Sequence, residues 1–378
     1  MEGESEVQHS FIQKTYPFLD KGKVLFYKHK RLISGGALLT GFIVDNLTLS
    51  RVDLLINNLI LLFYLVIAGA SILLFNLYES GKISGAFIKH AGALIPLVFQ
   101  FSFGALFSGF FVFYSRSASF AGSWIFVLFL AAMLIGNEFF ERRYERFVFQ
   151  ISIFFFALFS FSIFSVPLIL REIGIEAFLL SGFISIFVIT LFLGLSSRII
   201  PERIRESKKY LIRSIAGIYI IFNFLYFTNI IPPIPLSLKD AGIFHNVERT
   251  EEHAYKVLYE EKPWHKFYKR YNDEFHRFSN EPVYFYSSVF APGGLNTPIL
   301  HEWQYFDEEK NTWVTTNKFE FSIVGGRDGG YRGYSLKRSV FPGKWRVDVI
   351  TERGQILGRA YFTIFDISSP LSLKTDIK

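Results

Sequence analysis

The run LIRSIAGIYIIFNFLYFTNIIPPIPLSL, residues 211–238, decides how this chain divides. It is the last long apolar run. The sequence before it reads as membrane-spanning, and the sequence after it reads as water-exposed β structure. About 20 apolar residues, rising 1.5 Å each, cross a hydrocarbon core as a helix. Residues 211–231 meet that length, and their one charge, Arg213, lies near an end. Tyr219 and Tyr226 are amphipathic, and Asn223 offers an amide to a neighbouring helix. Pro232 and Pro233 have no backbone N–H and disfavour helix in the residue before them, so the helix is expected to stop at 229–231. Residues 235–243 are then expected at the interface.

Working outward, the chain is 51% hydrophobic with 46 Phe, and several runs approach 20 apolar residues, which excludes an ordinary soluble domain. The absence of Cys excludes disulfides, thiol nucleophiles and thiolate metal sites. The net charge is +7, yet residues 236–378 hold twenty Lys and Arg against nineteen Asp and Glu. The basic excess therefore belongs to the apolar half, where it orients spans rather than binding nucleic acid. No leader peptide is expected, because the first 30 residues are polar.

Residues 1–31 read as a basic cytoplasmic tail, and seven spans follow over 32–234: 33–49, 54–77, 91–114, 118–136, 147–170, 177–197 and 211–231. The first is the weakest, being short and carrying Asp45. Gly104 with Ser108, and Ser117 with Ala121, present small residues for close helix contact. With the N-terminus inside, the inner segments hold sixteen Lys and Arg. The outer loops hold only Arg51, Arg116 and Arg171. That bias places the C-terminal half outside the membrane.

Residues 235–280 read as an interfacial linker of mixed strand and helix, 281–368 as an all-β, antiparallel, sandwich-like domain, and 369–378 as a tail. Val283, Phe285, Ser287 and Val289 alternate with Tyr284, Tyr286, Ser288 and Phe290. His301, Trp303 and Tyr305 share a face with Ile299, and Trp345, Val347 and Val349 share another. Arg353-Gly354 reads as a turn, after which Ile356, Gly358, Ala360, Phe362 and Ile364 alternate.

Four runs carry a family resemblance: GFIVDNLTLSRVD (41–53), YFTNIIPPIPLSLKDAGIFH (226–245), GGRDGGYRGYS (325–335) and PGKWRVDVITERGQILGRAYF (342–362). They resemble a family of bacterial multi-helix membrane proteins whose C-terminal module is a domain of unknown function, family 2914. The resemblance implies a bacterial envelope protein in the inner membrane, and it supplies no activity and no functional residues.

Candidate binding residues therefore come from chemistry. Arg327, Tyr331 and Arg332 lie on a glycine-rich stretch whose backbone N–H groups and guanidinium groups suit a phosphate or carboxylate; the bland alternative is a long hairpin turn. Trp303, Trp313 and Trp345 with His301 suit an aromatic platform for a sugar or partner; the alternative is core packing. His245, His253, His265 and His276 lack metal-ligand spacing. Asp45, Asn57 and Asn223 lead the polar groups in or near spans, with Asn58, Asn76, Gln100 and Glu138. No hydrolase or nucleotide-binding motif occurs, so no catalytic residue, cofactor or metal is assigned.

The leading expectation is a non-enzymatic envelope protein in the lipid bilayer, its outward β domain binding a glycan, a lipid head group or a partner protein. The alternatives are a transporter or membrane-embedded enzyme using the intramembrane polar residues, and a structural subunit of an envelope complex.

Overall fold

The computed structural model describes residues 40–49, 51–82, 95–117, 119, 122–137, 146–252, 254–266, 271–326 and 329–378. Seven helices occur among them: α1 (40–48), α2 (Leu55–Glu79), α3 (Ile95–Ser117), α4 (Trp124–Asn137), α5 (Phe147–Leu170), α6 (Ile175–Ile199) and α7 (Pro201–Phe227). Five of them, α2, α3, α5, α6 and α7, are long and apolar enough to cross a membrane. At 14 residues, α4 is shorter than that. Residues 33–39 of the weakest expected span lie outside the described residues.

The helix α7 begins ten residues before the apolar run. Pro201 occupies its first turn, where the missing N–H costs nothing, and Glu202 follows. The basic segment RESKKY, expected as a loop, is made mostly of good helix formers and extends the helix.

The helices pack through rings. Phe159 on α5 lies 4.6 Å from Phe222 and 5.6 Å from Tyr219 on α7, and 5.9 Å from Phe178 on α6. Phe178 stacks on Tyr226 at 3.7 Å. Close approach needs small partners. A side chain on Gly182 would meet Tyr219 at 3.0 Å, and one on Gly104 would meet Asn137 on α4 at 3.0 Å. Outward-facing Phe63, Phe183, Leu191 and Ile220 leave a belt of large apolar groups exposed.

The chain then forms eleven described strands. The first sheet runs β1 (Ser237–Phe244), β5 (Val283–Phe290), β8 (Tyr331–Lys337). The second runs β4 (Glu274–Phe278), β10 (Ile356–Ile367), β9 (Gly343–Thr351), β6 (Asn296–Asp307), β7 (Thr312–Val324). The third joins β2 (Asn246–Arg249), β3 (Tyr255–Tyr259) and β11 (Lys374–Ile377). All pairs are antiparallel except β4 with β10, which is parallel.

The first two sheets share one apolar cluster containing Phe285, Ile299, Trp303, Trp345, Val347 and Phe362. The other face of β5 is covered as well, since Tyr286 packs with Val247 and Val257 of the third sheet. The structure thus departs from the expected partition. The stretch read as a linker supplies β1 to β4, and the tail supplies β11. Asp240 and Gly242 mask the alternation in β1, and the four exposed residues of β11 have none. A register shift between Ile356 and Gly358 buries Leu357, not Ile356 as strict alternation requires.

The helix ends alternate. Arg51, before α2, lies 5.3 Å over Phe290 of β5, and Gly122, before α4, faces Ile356. Arg171, after α5, packs against Gly294. At the opposite end of the bundle Lys82 Nζ donates to the Ile199 carbonyl at 2.7 Å, and Arg203 pairs with Glu79 at 2.6 Å. The three sparsely charged loops and the β region therefore share one end.

Candidate functional site

A cleft of about 330 Å³ opens where the helix ends meet the β region. Ile163 and Pro167 of α5, Phe178 of α6, Tyr226 of α7 and the segment Ile231 to Ile234 form its apolar side. Thr297, Thr351, Arg353 and Gln355 form its polar side, and Glu172, Glu176 and Glu352 also line it.

The β9–β10 turn places Arg353. Gly354 takes φ +79°, which glycine adopts without a Cβ clash, and its N–H donates to the Thr351 carbonyl at 2.8 Å. Two bonds tie this turn to the end of α7: Gln355 Nε2 donates to the Ile231 carbonyl at 3.3 Å, and Asn229 Nδ2 donates to the Arg353 carbonyl at 3.2 Å. The Arg353 guanidinium lies 4.0 Å over the Tyr226 ring. Its Nη1 is buried and has no hydrogen-bond partner among the described residues. The carboxylates of Glu172, Glu176 and Glu352 form no ion pair among the described residues, and all three residues are exposed. Pro232 and Pro233, which follow the left-handed Asn229 past the end of α7, also shape this wall, because they leave no N–H groups there. In the sequence Arg353-Gly354 is a turn signal only, and nothing in it aligns that arginine with residues more than a hundred positions away.

The residues singled out from the sequence fall elsewhere. Arg327 lies outside the described residues. Arg332 is engaged, its Nη1 donating to the Lys378 backbone oxygen at 3.0 Å, and Tyr331 packs against the core. Two glycine amides of the loop are also engaged, Gly325 with the Leu295 carbonyl and Gly326 with the Ala291 carbonyl. His301 and Trp303 are 0% exposed, so both rings follow the core-packing alternative and not the surface platform; the inner face of β6 carries both into the core. Trp345 is buried as well. Trp313 is the partly exposed tryptophan of the set, with Arg346 4.5 Å over its ring.

Among the described residues the polar groups singled out in the helical half do not form one cluster, and Glu138 lies outside the described residues. Asn57 Nδ2 donates to the Arg51 carbonyl at 2.7 Å and Asn223 Nδ2 to the Tyr219 carbonyl at 2.8 Å. Asp45 lies near the end of α1, where Arg116 holds the Asn46 carbonyl and the carbonyl of Leu49 just past the helix. A chain that the sequence did not order joins Asn76 to Gln150 at 2.7 Å in the interior and to the partly exposed Arg203 at 2.6 Å. In the β region Glu260 draws His245 Nε2 to 3.0 Å and His276 Nδ1 to 2.7 Å, a pairing invisible in their spacing. No group of three or more metal-ligating side chains occurs among the described residues.

His301 gives a pH signature. Its Nε2 lies 2.7 Å from Ser287 Oγ and its Nδ1 3.0 Å from Ser335 Oγ, and burial pushes its pKa down to about 3. An unfolded His protonates near 6.5, so the unfolded chain binds the extra proton below that pH. The stabilisation is fully present above about 6.5 and is lost as pH falls towards 3, by ~2 kcal/mol at pH 5. Burial alone raises the Glu260 pKa, but the bonds from His245 and His276 outweigh it and the net shift is downward. The Glu260 contribution is therefore lost only below the unfolded carboxylate value of about 4.3. Denaturation of the full-length protein at pH 7 and pH 5 checks this, and His301→Asn should flatten the slope. Parallel wild-type and variant curves would reject the assignment.

Residues 296–364, spanning β6 to β10, match the family model described as "Protein of unknown function (DUF2914)", so the C-terminal region carries that domain. No curated protein matches the chain. Among solved structures, Pseudomonas fluorescens alkylpurine DNA glycosylase AlkC, bound to DNA containing an abasic site analog, aligns at 10% identity. The alignment covers 83% of this chain and 99% of that chain with a TM-score of 0.21, too low to support a shared fold.

Proposed function

We propose that this is a multi-pass protein of the bacterial inner membrane, its N-terminus cytoplasmic, that holds a lipid head group in the cleft between its helix ends and an outward, sandwich-like β region. The role is binding and not catalysis. The carrying observation is the cleft itself: Ile163, Pro167, Phe178 and Tyr226 give it an apolar surface at the helix ends, with Glu172 and Glu176 on the same side, the β9–β10 turn gives it a polar one, and a buried guanidinium nitrogen lacks an acceptor. A lipid matches both walls, placing chains beside the helices and a phosphate at Arg353. Five long apolar helices and the exposed apolar belt support membrane embedding. The bias of Lys and Arg to the end away from the β region supports the outward orientation.

The test is native mass spectrometry of the full-length protein released gently from membranes. The wild type is expected to carry a bound phospholipid. Arg353→Ala should weaken its retention about tenfold, as loss of a charge-assisted contact predicts. Arg353→Lys, which keeps the charge, should retain more. Equal lipid retention by all three proteins would sink the proposal.

A further inference from the structure

We infer that the head group held in this cleft is a zwitterion with a phosphate and a primary ammonium, as in an ethanolamine phospholipid; this rests on the lipid-binding reading above. One guanidinium, that of Arg353, and three carboxylates, those of Glu172, Glu176 and Glu352, line the same cleft. The lining is therefore net negative although the group with the buried, unpartnered nitrogen is a cation. A purely anionic head group satisfies Arg353 but meets three uncompensated carboxylates. A zwitterion satisfies both signs.

Placement sets the order. Arg353 lies against Tyr226 at the end of α7, with Nη1 buried, whereas Glu172, Glu176 and Glu352 are exposed. A phosphate at the guanidinium and an ammonium reaching the solvent-facing carboxylates match the sequence of groups from glycerol outward in such a lipid. The three carboxylates are acceptors only, and a primary ammonium brings three N–H donors. A choline head group carries the same charge but has no donor, so it matches the cleft less well.

The experiment loads full-length protein into nanodiscs of phosphatidylethanolamine, phosphatidylcholine and phosphatidylglycerol in equal parts and identifies retained lipid by native mass spectrometry. The wild type should retain the ethanolamine lipid about tenfold over either competitor, the scale of a few weak ionic contacts acting together. The triple variant Glu172→Gln, Glu176→Gln, Glu352→Gln changes only exposed side chains and should bring that preference to about twofold or less. Lipid retained without preference, or a preference unchanged in the triple variant, overturns the zwitterion assignment and leaves lipid binding intact. A wild type that retains no lipid overturns the underlying reading. Glycerophosphoethanolamine, the same head group without acyl chains, separates the sources. Displacement of the lipid only at far higher concentration supports a membrane ligand, and displacement at equal concentration overturns it in favour of a soluble phosphoamine.

Discussion

Trp303→Ala is expected to destabilise the β region by about 3–5 kcal/mol, the range for removing a large buried ring. Trp303 is 0% exposed and lies edge-on to Phe285 at 6.4 Å and Phe362 at 6.1 Å, which belong to the two facing sheets. Its Nε1 also donates to Ser335 Oγ at 2.9 Å, linking β6 to β8. Truncation opens a cavity between the sheets and frees one hydroxyl acceptor, while His301 still engages Ser335. Trp303→Phe should cost less, because most of the ring volume remains and only the hydrogen bond and the second ring are lost. Denaturant unfolding followed by fluorescence of the remaining tryptophans checks both variants. A loss below about 1 kcal/mol for the alanine would mean the two sheets do not meet at this residue.

Arg359→Ala is expected to cost a comparable amount, about 3–5 kcal/mol, for an electrostatic reason. Cross-strand registers line up Lys318, Glu302, Asp348 and Arg359 over β7, β6, β9 and β10. Two carboxylates are thus neighbours at the centre of the row, each with a cation on its outer side. Arg359 grips Asp348 through two bonds of 2.6 Å, while Lys318 lies 3.2 Å from Glu302. Asp348 is almost fully buried, so without Arg359 it becomes an unpaired charge beside Glu302. The pair's own net contribution is much smaller than that loss. Arg359→Met with Asp348→Leu should therefore recover most of the lost stability, whereas Arg359→Ala alone should not. A double variant as unstable as the single one would show that packing of the arginine stem, not its charge, holds the row together.

Much of this architecture is legible in local sequence. The helix α5 runs over 147–170 as its uninterrupted apolar run requires, and Pro232 and Pro233 close the helical half within a few residues of the expected point. The alternation of Ile299, His301 and Trp303 placed them on one face of β6, and that face is buried. Alternation specifies a shared face but not what covers it, so it could not distinguish a surface platform from a core. Segments without periodicity were opaque for a related reason. The strand β1 is held by its pairing with β5, and β11 by its pairing with β3.

The sequence by itself determined the division into an apolar helical half and a β half, the positions of the five long apolar helices among the described residues, the distribution of charge between loops, and the hydrophobic face of β6. These follow from period, length and composition, which are properties of neighbours in the chain. The tertiary structure alone decided that β5 is covered on both faces, that His245 and His276 meet at Glu260, and that Arg353 comes to Tyr226 and Asn229 at the end of α7. Each of those depends on residues far apart in sequence, brought together by the packing of sheets and helix ends, and no local pattern encodes such a meeting.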